Sequence, residues 1–332
     1  MNIRLACAGV LAAVSCAPVL AQTSAPAAAG SGPAYPAKVV RWIVPMPPGG
    51  GTDMISRTVT QKLSELWGVQ VVPENRPGAG GTIGLEAAAR AAPDGYTIVL
   101  GQASNLAVAP GLYSRLPYDP AKDFSPVTNV IAAPNIIISH PSLPSRNLKE
   151  VIAMARAKPD AITFASSGNG TIGHLSMEML KSDARIRMLH IPYNGGARAL
   201  TALLSGEVVV FASSLPPSVP HIKGGRLKAF AVTSSKRLAP LPDVPTVAES
   251  GVPGYEAVNW YGVLVPAGTS KDIVNRLHAD ITKVLKAPDV QKRFATEGGD
   301  IVADTPEQFA AFIRKEIPKW TAVVKTAGVK VD

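Results

Sequence analysis

Short runs of β-branched and aliphatic residues alternate along the chain with longer segments in which apolar residues recur every three or four positions. The first run, residues 39–44, is too short for a helix and ends at Pro45, which indicates a strand. After a glycine-rich turn, apolar positions follow one another at spacings of 4, 4 and 3 and predict a helix with one buried face: Ile55, Val59, Leu63 and Leu66. The local unit is therefore strand, glycine turn, helix.

The same alternation continues for most of the chain. Further strands are predicted at 70–72, 96–100, 136–139, 161–165, 188–192, 208–211 and 227–233, and further helices at 82–91, from Asn147 (capped with Glu150) onward, at 171–182 and at 197–204. After a proline-rich connection at 239–254, a strand at 258–265 precedes consecutive helices with capping signals at Thr269 with Asp272, and at Thr305-Pro306 with Gln308. This alternation predicts an α/β chain with largely parallel sheets.

The first 21 residues do not follow this pattern. Residues 1–4 are cationic, residues 5–20 are apolar and nearly uncharged, and small residues precede a cleavage point after Ala21, which predicts a secretory signal peptide and an exported protein. The composition of residues 22–34 predicts a flexible leader. Cys7 and Cys16 both precede the cleavage point, so we expect a mature protein without disulfide or thiol. Lipidation of Cys16 is the alternative, although the residues before it form a poor lipobox.

The length of 332 residues suggests two domains. The number and distribution of charged residues indicate whether a nucleic acid is an expected partner. The chain has 33 basic and 24 acidic residues, a net charge of +9, without the dense Lys/Arg run typical of nucleic-acid-binding arms. We therefore expect a basic, solvated surface and no nucleic-acid partner. No stretch after the signal peptide reaches the ~20 apolar residues of a membrane span.

Two glycine-rich turns lead from a strand into a helix. They are the first glycine loop, residues 47–53, and the second glycine loop, residues 166–171. The free N–H groups of a first helical turn and the positive end of the helix dipole form a site for a carboxylate or phosphate, and glycine allows close approach. Each loop is alone more typical of a tight connection, but two similar loops favour a ligand site.

Other kinds of chemistry have little support in the sequence. Gly168-x-Gly170-x-x-Gly173 fits the dinucleotide fingerprint, but the next strand candidate ends without the acidic residue that would hold a ribose. There is no Gly-Lys-Ser/Thr turn, no Gly-x-Ser-x-Gly elbow and no His pair at metal-ligand spacing, so we expect no catalytic residue, metal or cofactor. A secreted hydrolase using Ser166 or Ser167 with His174 is kept as an alternative.

Seven motifs, in order and at characteristic spacing, resemble the Bug (TctC-like) solute-binding proteins, the extracytoplasmic receptors of tripartite tricarboxylate transporters. The resemblance covers the chain from about residue 35 to its end. The motifs are Pro47-Pro48-Gly49-Gly50-Gly51-Thr52-Asp53, Glu74-Asn75-Arg76-Pro77-Gly78-Ala79-Gly80-Gly81, Pro93-Asp94-Gly95-Tyr96-Thr97, Ser166-x-Gly168-x-Gly170-x-x-x-His174, Pro192-Tyr193-x-Gly195-Gly196, Pro242-Asp243-Val244-Pro245-Thr246-x-x-Glu249 and Trp260-x-Gly262.

The resemblance implies a two-domain α/β fold of the type II periplasmic-binding-protein-like (flytrap) class, each domain a mainly parallel sheet flanked by helices. Domain 1 would comprise 35–133 plus 257–332, and domain 2 would comprise 134–256. It implies a monomeric periplasmic receptor, without enzyme activity or cofactor, that captures a small carboxylate-bearing solute between the domains and passes it to a membrane permease. The implied ligand-binding residues are Met46, Pro48, Gly49, Gly50, Gly51, Thr52, Asp53, Ser104, Ser166, Ser167, Gly168, Asn169, Gly170, Thr171, His174, Tyr193 and Gly195.

Several of these residues also have a structural interpretation. His174 can brace the second glycine loop rather than bind ligand, and Asp53 can cap its helix. Met46 stands where the family often has an aromatic side chain, which puts the usual ligand preference in doubt. Arg198 is a candidate for a second carboxylate, although a solvated arginine is the simpler interpretation. A receptor used for sensing through a partner protein is the alternative to transport.

Overall fold

Ten β-strands and ten α-helices alternate in the computed structural model, which describes residues 35–296 and 298–329. The strands are β1 (Val40–Val44), β2 (Val71–Asn75), β3 (Thr97–Gln102), β4 (Phe124–Ser139), β5 (Thr163–Ser166), β6 (Leu189–Pro192), β7 (Val210–Ser214), β8 (Lys228–Val232), β9 (Val258–Pro266) and β10 (Asp300–Ile301). The helices are α1 (Gly51–Trp67), α2 (Thr82–Ala89), α3 (Ala109–Leu112), α4 (Leu148–Ala157), α5 (Ile172–Ala184), α6 (Gly196–Leu204), α7 (Leu215–Lys223), α8 (Lys271–Leu285), α9 (Pro288–Thr296) and α10 (Pro306–Ala327). A 3₁₀ turn and a π turn precede α2 and α3, at Ala79–Gly81 and Ser104–Val108.

The described strands form one continuous path in the order β2-β1-β3-β9-β4-β7-β5-β6, and β8 and β10 also pair with β4. The strand β1 is parallel to β2 and β3, and β5 is parallel to β6 and β7. Each antiparallel pair includes β4 or β9. The strands that lead into the glycine loops, β1 and β5, are therefore parallel to both of their neighbours. The strands β4 and β9 lie between these two groups and are antiparallel to the strands with which they pair.

The strand β4 changes partners halfway along its 16 residues. Up to Pro134 it pairs with β9, and from Asn135 it pairs with β7 and β8. The sequence predicted only its last four residues, 136–139, because Pro126 and Pro134 interrupt the strand pattern. The residues that follow β8 and precede β9 lie next to this crossing, the point of β4 where its partners change. Thr233 N–H donates to Asn135 O, and Ala257 N–H donates to Thr233 O, both at 2.9 Å.

The predicted domain boundaries at 133/134 and 256/257 coincide with these crossings, but residues 35–332 form one compact unit. The division into two domains therefore stays a prediction. The predicted signal peptide with Cys7 and Cys16, its cleavage point and the leader at 22–34 lie outside the described residues.

Helix α1 forms where apolar periodicity predicted it. Ile55, Val59 and Leu63 are buried against the sheet, whereas Leu66 is 36% exposed and does not belong to the buried face. The helix ends at Gly68, whose φ of 66° is the left-handed conformation common at helix ends.

The predicted caps are confirmed on α4 and α10 and wrong on α8. Thr305 and Gln308 form a reciprocal capping box on α10. On α8 the N-cap is Ser270, and the Thr269 hydroxyl donates to Pro266 O at 2.8 Å. Helix α7 was not predicted, because three prolines fall within its nine residues; two of them occupy early helical positions, where the missing N–H costs nothing.

Candidate functional site

Loops at the carboxyl ends of the parallel strands are directed toward the middle of β4. The strand β3 ends at Gln102, which pairs with Tyr261 of β9, and Tyr261 pairs in turn with Ile131 of β4. From the opposite direction β7 ends at Ser214, which pairs with Asn135. Both sets of carboxyl ends therefore meet where β4 changes partners, and ligands of α/β sheets bind at such a place.

The first glycine loop presents the free N–H groups of a helix start. Gly50 is the N-cap of α1, with φ −88° and ψ 175°, and no side chain caps the helix. The first helical bond runs from Met54 N–H to Gly50 O at 3.0 Å. Within the part of the chain that the structure describes, the N–H groups of residues 50–52 have no acceptor, so they are available to an anion.

Asp53 shapes this loop from within. Its Oδ2 accepts from Gly49 N–H at 3.0 Å and from Arg57 Nε at 2.9 Å, and its Oδ1 accepts from Asn75 Nδ2 at 2.9 Å. Burial raises the pKa of Asp53, but these hydrogen bonds outweigh it and hold the pKa below its ordinary value. The expected helix cap is therefore wrong in detail: the carboxylate bonds to the loop before the N-cap, and its oxygens are occupied by protein groups.

A chain of polar side chains links the loop to the end of β3. The Thr52 hydroxyl donates to Gln102 Oε1 at 2.7 Å, and Gln102 Nε2 donates to Ser104 Oγ at 2.8 Å. Sequence reasoning missed Gln102 and Asn75, although both are polar residues at the carboxyl end of a strand, which is a usable signal. It also missed Tyr261, whose hydroxyl oxygen would lie 3.2 Å from a Cβ at Gly51.

In the second glycine loop, alternate N–H groups are directed into the protein. Gly168 N–H donates to Ser166 Oγ at 3.1 Å, and Gly170 N–H donates to His174 Nδ1 at 3.1 Å. The N–H groups of Ser167 and Asn169 have no acceptor among residues 35–296 and 298–329. The N–H groups available to a ligand are therefore those of Ser167 and Asn169, each of which precedes a glycine, and not those of Gly168 and Gly170.

His174 lies beneath the second glycine loop, with 3% of its surface exposed. The bracing interpretation of this residue therefore has direct support. Thr171 is the N-cap of α5, and its hydroxyl oxygen accepts from His174 N–H at 3.3 Å. The hydroxyl of Thr171 also donates to Gly168 O at 2.8 Å, so these side chains serve the loop and the helix start.

A third helix begins beside this loop. Gly195, with φ 100°, is the N-cap of α6 and has no side-chain cap, and its N–H donates to Ser167 O at 3.2 Å. Tyr193 does not offer its hydroxyl to this space, because that group donates to Glu207 Oε1 at 2.7 Å. Burial and the Glu207 carboxylate raise the pKa of Tyr193 to about 12. Arg198 is exposed in the first turn of α6 and has no ion pair among the described residues.

The glycines of the two loops differ in what surrounds them. At most positions an added Cβ would meet no atom closer than 3.6 Å, so the backbone faces open space: Gly49, Gly50, Gly168 and Gly195. At Gly170, with φ 73°, the side chain of Leu112 occupies the place of a Cβ. Gly170 is therefore required for packing against α3, although the sequence placed it with the ligand-binding residues.

The predicted site residues thus fall into three groups. The first glycine loop with its neighbour Met46 contains seven of them, and Ser104 lies on the hydrogen-bonded chain from that loop. The third group comprises the six residues of the second glycine loop, His174 in the first turn of α5, and Tyr193 and Gly195 just before α6. Met46 is partly exposed, and its carbonyl oxygen accepts from Asn75 Nδ2 at 3.0 Å. Their role in ligand binding stays a prediction.

In the described ranges no group of three His, Cys, Asp or Glu side chains could hold a metal ion. No helix in those ranges combines the length and apolar character needed to cross a membrane. The chemistry on offer is therefore mainly that of backbone N–H groups.

The sequence and the fold are similar to those of known proteins. The sequence profile described as "Tripartite tricarboxylate transporter family receptor" matches residues 55–329. Among similar solved structures, the periplasmic binding protein BugD is 37% identical, with a TM-score of 0.79 over 90% of this chain and all of that chain.

Two further similar structures were solved with a bound molecule. A Rhodopseudomonas palustris protein with adipate is 34% identical, with a TM-score of 0.82 over 90% of this chain and all of that one. The protein MatC from Rhodopseudomonas palustris, with malate, is 31% identical, with a TM-score of 0.78 over 87% of this chain and all of that one.

Proposed function

The chain belongs to the tripartite tricarboxylate transporter receptor family, and from this premise we propose that it holds a small carboxylate-bearing solute between the two glycine loops and delivers it to a membrane permease. The family confirms the resemblance drawn from the sequence motifs, and the likeness to BugD confirms the α/β, periplasmic-binding-protein-like fold. The protein is a solute-binding receptor of a periplasmic family and not an enzyme.

The observation that supports a carboxylate is the uncapped start of α1. Three successive N–H groups, at residues 50–52, lie at the positive end of a 17-residue helix without a side-chain acceptor. A carboxylate can accept from two of them with each oxygen, and fixed donors need little reorganisation on binding. A neutral solute would gain far less from this arrangement.

The second glycine loop and α6 supply donors from the other side of the crossing in β4. The N–H groups of Ser167 and Asn169 are free, and the N-cap Gly195 has no side chain to occupy the first turn of α6. Residue 195 and residues 167–169 are neighbours, because Gly195 N–H donates to Ser167 O. A ligand between the two sets of donors would draw both halves of the sheet together, as in hinge closure.

Adipate and malate, the molecules in the two related structures, each have two carboxylates. We propose that a dicarboxylate of similar size is the natural class of ligand here, with one carboxylate on the first glycine loop. The exposed Arg198 is the available cation for the other.

A thermal-shift titration with adipate and malate tests the carboxylate, and adipamide is the matched neutral control. A ligand that binds only the folded protein adds about 2.7 kcal/mol at 100 times its Kd, a readily measured shift. We expect stabilisation by at least one dicarboxylate and none by adipamide, with calorimetry to give the Kd. Equal stabilisation by adipate and adipamide would exclude recognition of the charge.

A receptor for transport delivers its solute to a permease, whereas a receptor for sensing does not, so an uptake experiment distinguishes the two roles. Deleting the gene while leaving the permease subunits intact should abolish high-affinity uptake of the solute, and a plasmid copy should restore it. Unchanged uptake with loss of a transcriptional response would assign the receptor to sensing. We propose that the protein acts as a monomer, which sedimentation of the ligand-bound form tests.

Export with cleavage after Ala21 predicts a mature protein without thiol. Cys7 and Cys16 both precede that residue, so titration of the denatured periplasmic protein with a thiol reagent should read zero. One reactive or lipid-blocked cysteine per chain would instead place the processing site before Cys16.

A further inference from the structure

Two histidine rings are stacked beneath the second glycine loop. The ring centroids of His174, on α5, and His190, on β6, lie 3.9 Å apart with an angle of 12° between the planes. Phe164 of β5 continues the stack, 4.8 Å from His190. Each histidine reaches the loop through one ring nitrogen.

The contact of His174 requires an uncharged ring. Its Nδ1 accepts from Gly170 N–H at 3.1 Å, so that nitrogen carries no proton and the ring proton is on Nε2, which lies 3.7 Å from Glu178 Oε1. A second proton on the ring would set two N–H groups against each other. The buried Gly170 N–H would then have no acceptor, which disfavours the observed loop.

The contact of His190 completes the other end of the loop. Its Nε2 lies 2.7 Å from Ser166 Oγ, which also accepts from Gly168 N–H and lies 3.1 Å from Gly168 O. A hydroxyl has one proton to donate. All three contacts of Ser166 are satisfied together only if His190 Nε2–H donates to Oγ and Oγ–H donates to Gly168 O.

From these contacts we propose that the two histidines are positioning residues: His174, as an uncharged acceptor at Nδ1, and His190, as a donor from Nε2, hold the second glycine loop so that the N–H groups of Ser167 and Asn169 face the ligand, and a proton on His174 Nδ1 weakens binding. The inference rests on the proposed function, because it concerns the same site. Neither histidine contacts the solute in this account; each acts through the backbone of the loop.

The groups that face the pair set its response to pH. On α5 these are Glu178 and Lys181, which are 2.8 Å apart, and Lys181 also lies over the Phe164 ring. The facing residues of β5 carry no charge. Beside Glu178, a small pocket is lined by Asp183 of α5 and by uncharged residues of α10, namely Ala322, Val323, Thr326 and Ala327. Lys325 stands in the same turn of α10. Behind α5, the Tyr255 hydroxyl donates to Ser176 O.

At neutral pH these surroundings keep His190 uncharged. Burial, with His174 and Lys181 adding to it, lowers the pKa of His190 to about 4, although Glu178 opposes the shift. A proton on one ring would also repel a proton on the ring stacked 3.9 Å away. The loop arrangement is therefore stable at neutral pH and is disturbed in acid.

The first test needs no ligand. Full-length mature protein is compared with His174→Asn, whose side-chain oxygen can replace Nδ1 as acceptor, and with His174→Leu, which has none. Amide exchange measured by NMR should show Gly170 N–H protected in the wild type and His174→Asn, and exchanging at least about 10-fold faster in His174→Leu. His221→Asn, on α7, is the matched control. Equal protection in all four proteins would overturn the positioning role.

The second test measures the Kd of adipate and malate by calorimetry. At pH 7.5 we expect His174→Leu to bind about 10-fold or more weakly, and His174→Asn to bind within a few-fold of wild type. The ratio of wild-type to His174→Asn Kd is then followed as the pH falls from about 7.5 to about 4. Titration of the dicarboxylate itself cancels in this ratio.

The ratio should rise in acid, because a proton on Nδ1 of the wild-type ring removes the acceptor of Gly170 N–H, whereas the side-chain oxygen in His174→Asn remains an acceptor. A ratio that is flat throughout overturns the proton linkage. Wild-type protein that binds neither probe refutes the dicarboxylate assignment under Proposed function, and the amide exchange of Gly170 still decides the positioning role.

Discussion

Replacing Gly50 with serine should stabilise the protein and weaken its binding of ligand. Gly50 has φ −88° and ψ 175°, which any residue adopts, and an added Cβ would lie 4.0 Å from its nearest neighbour, Pro47 O. Because Gly50 is the N-cap of α1, a serine Oγ there can accept from the N–H of Thr52 or Asp53. The Thr52 N–H is one of the three that are offered to a carboxylate.

The magnitudes of the two effects are separable. Serine in place of glycine at an N-cap contributes a few tenths of a kcal/mol, and lower chain entropy in the unfolded state contributes about 0.4–1 kcal/mol. We expect a gain of about 1 kcal/mol, which corresponds to a rise in Tm of about 2–4 °C. A hydrogen bond to a charged group contributes ~1.5–3 kcal/mol, so the Kd for adipate or malate should rise about 10-fold or more.

Thermal unfolding without ligand gives the first quantity, and calorimetry with the better of the two dicarboxylates gives the second. Ser270→Gly is the matched control, because it makes the reverse exchange at the N-cap of α8 and should lower Tm without changing Kd. A Gly50→Ser protein with a raised Tm and an unchanged Kd would show that the first turn of α1 does not bind the carboxylate. A lowered Tm would show that the capping argument is wrong.

Four further changes have distinct expected outcomes. Gly170→Ala should lower the urea midpoint markedly, because φ is 73° and Leu112 occupies the space of the new methyl group. Gly168→Val should abolish binding of adipate, because φ is 133° and a β-branched residue there forces the loop to shift and fills the open space beside it. Circular dichroism checks that this variant is folded. Arg198→Ala should weaken a dicarboxylate by ~1.5–3 kcal/mol and leave a monocarboxylate of similar size unaffected if the arginine binds the second carboxylate; equal, large losses would mean that it binds the first. Asp53 has a lowered pKa in the folded protein, so its contribution to stability is present above about pH 3.8 and is lost as the pH falls through the folded-state pKa. The urea midpoints of wild type and Asp53→Asn should therefore converge in acid. A difference between the two midpoints that stays constant with pH would contradict the stabilising role of the Asp53 carboxylate.

Much of the site could be read from the sequence because its backbone chemistry is local. A strand, a glycine turn and an uncapped helix start lie within about 20 residues of one another, so residues 47–53 could be predicted as a candidate anion site without knowledge of the fold. The same holds for residues 166–171. What the pattern could not show is which N–H groups are free: Gly168 and Gly170 donate inward, and Ser167 and Asn169 do not.

Side chains that support the loops were harder to find. His190 stands on a four-residue strand, where it has no motif around it, and it gains meaning only because β5 and α5 bring Ser166 and His174 against its ring. Gln102 and Asn75 bond to the first glycine loop from strands 50 and 22 residues away from their partners Thr52 and Asp53. Such contacts depend on the order of the strands in the sheet, and this order cannot be derived from the periodicity of the sequence.

The sequence by itself determined the α/β class, the two glycine loops and the family, because periodicity, turn chemistry and ordered motifs are properties of neighbouring residues. Tertiary structure alone decided that β4 serves both sets of strands, with its partner exchange at Pro134 and Asn135. It also decided that Gly170 packs on Leu112 while Gly168 faces open space. The physical reason is that strand pairing and side-chain packing join segments far apart in the chain, and the same local pattern is compatible with many such pairings.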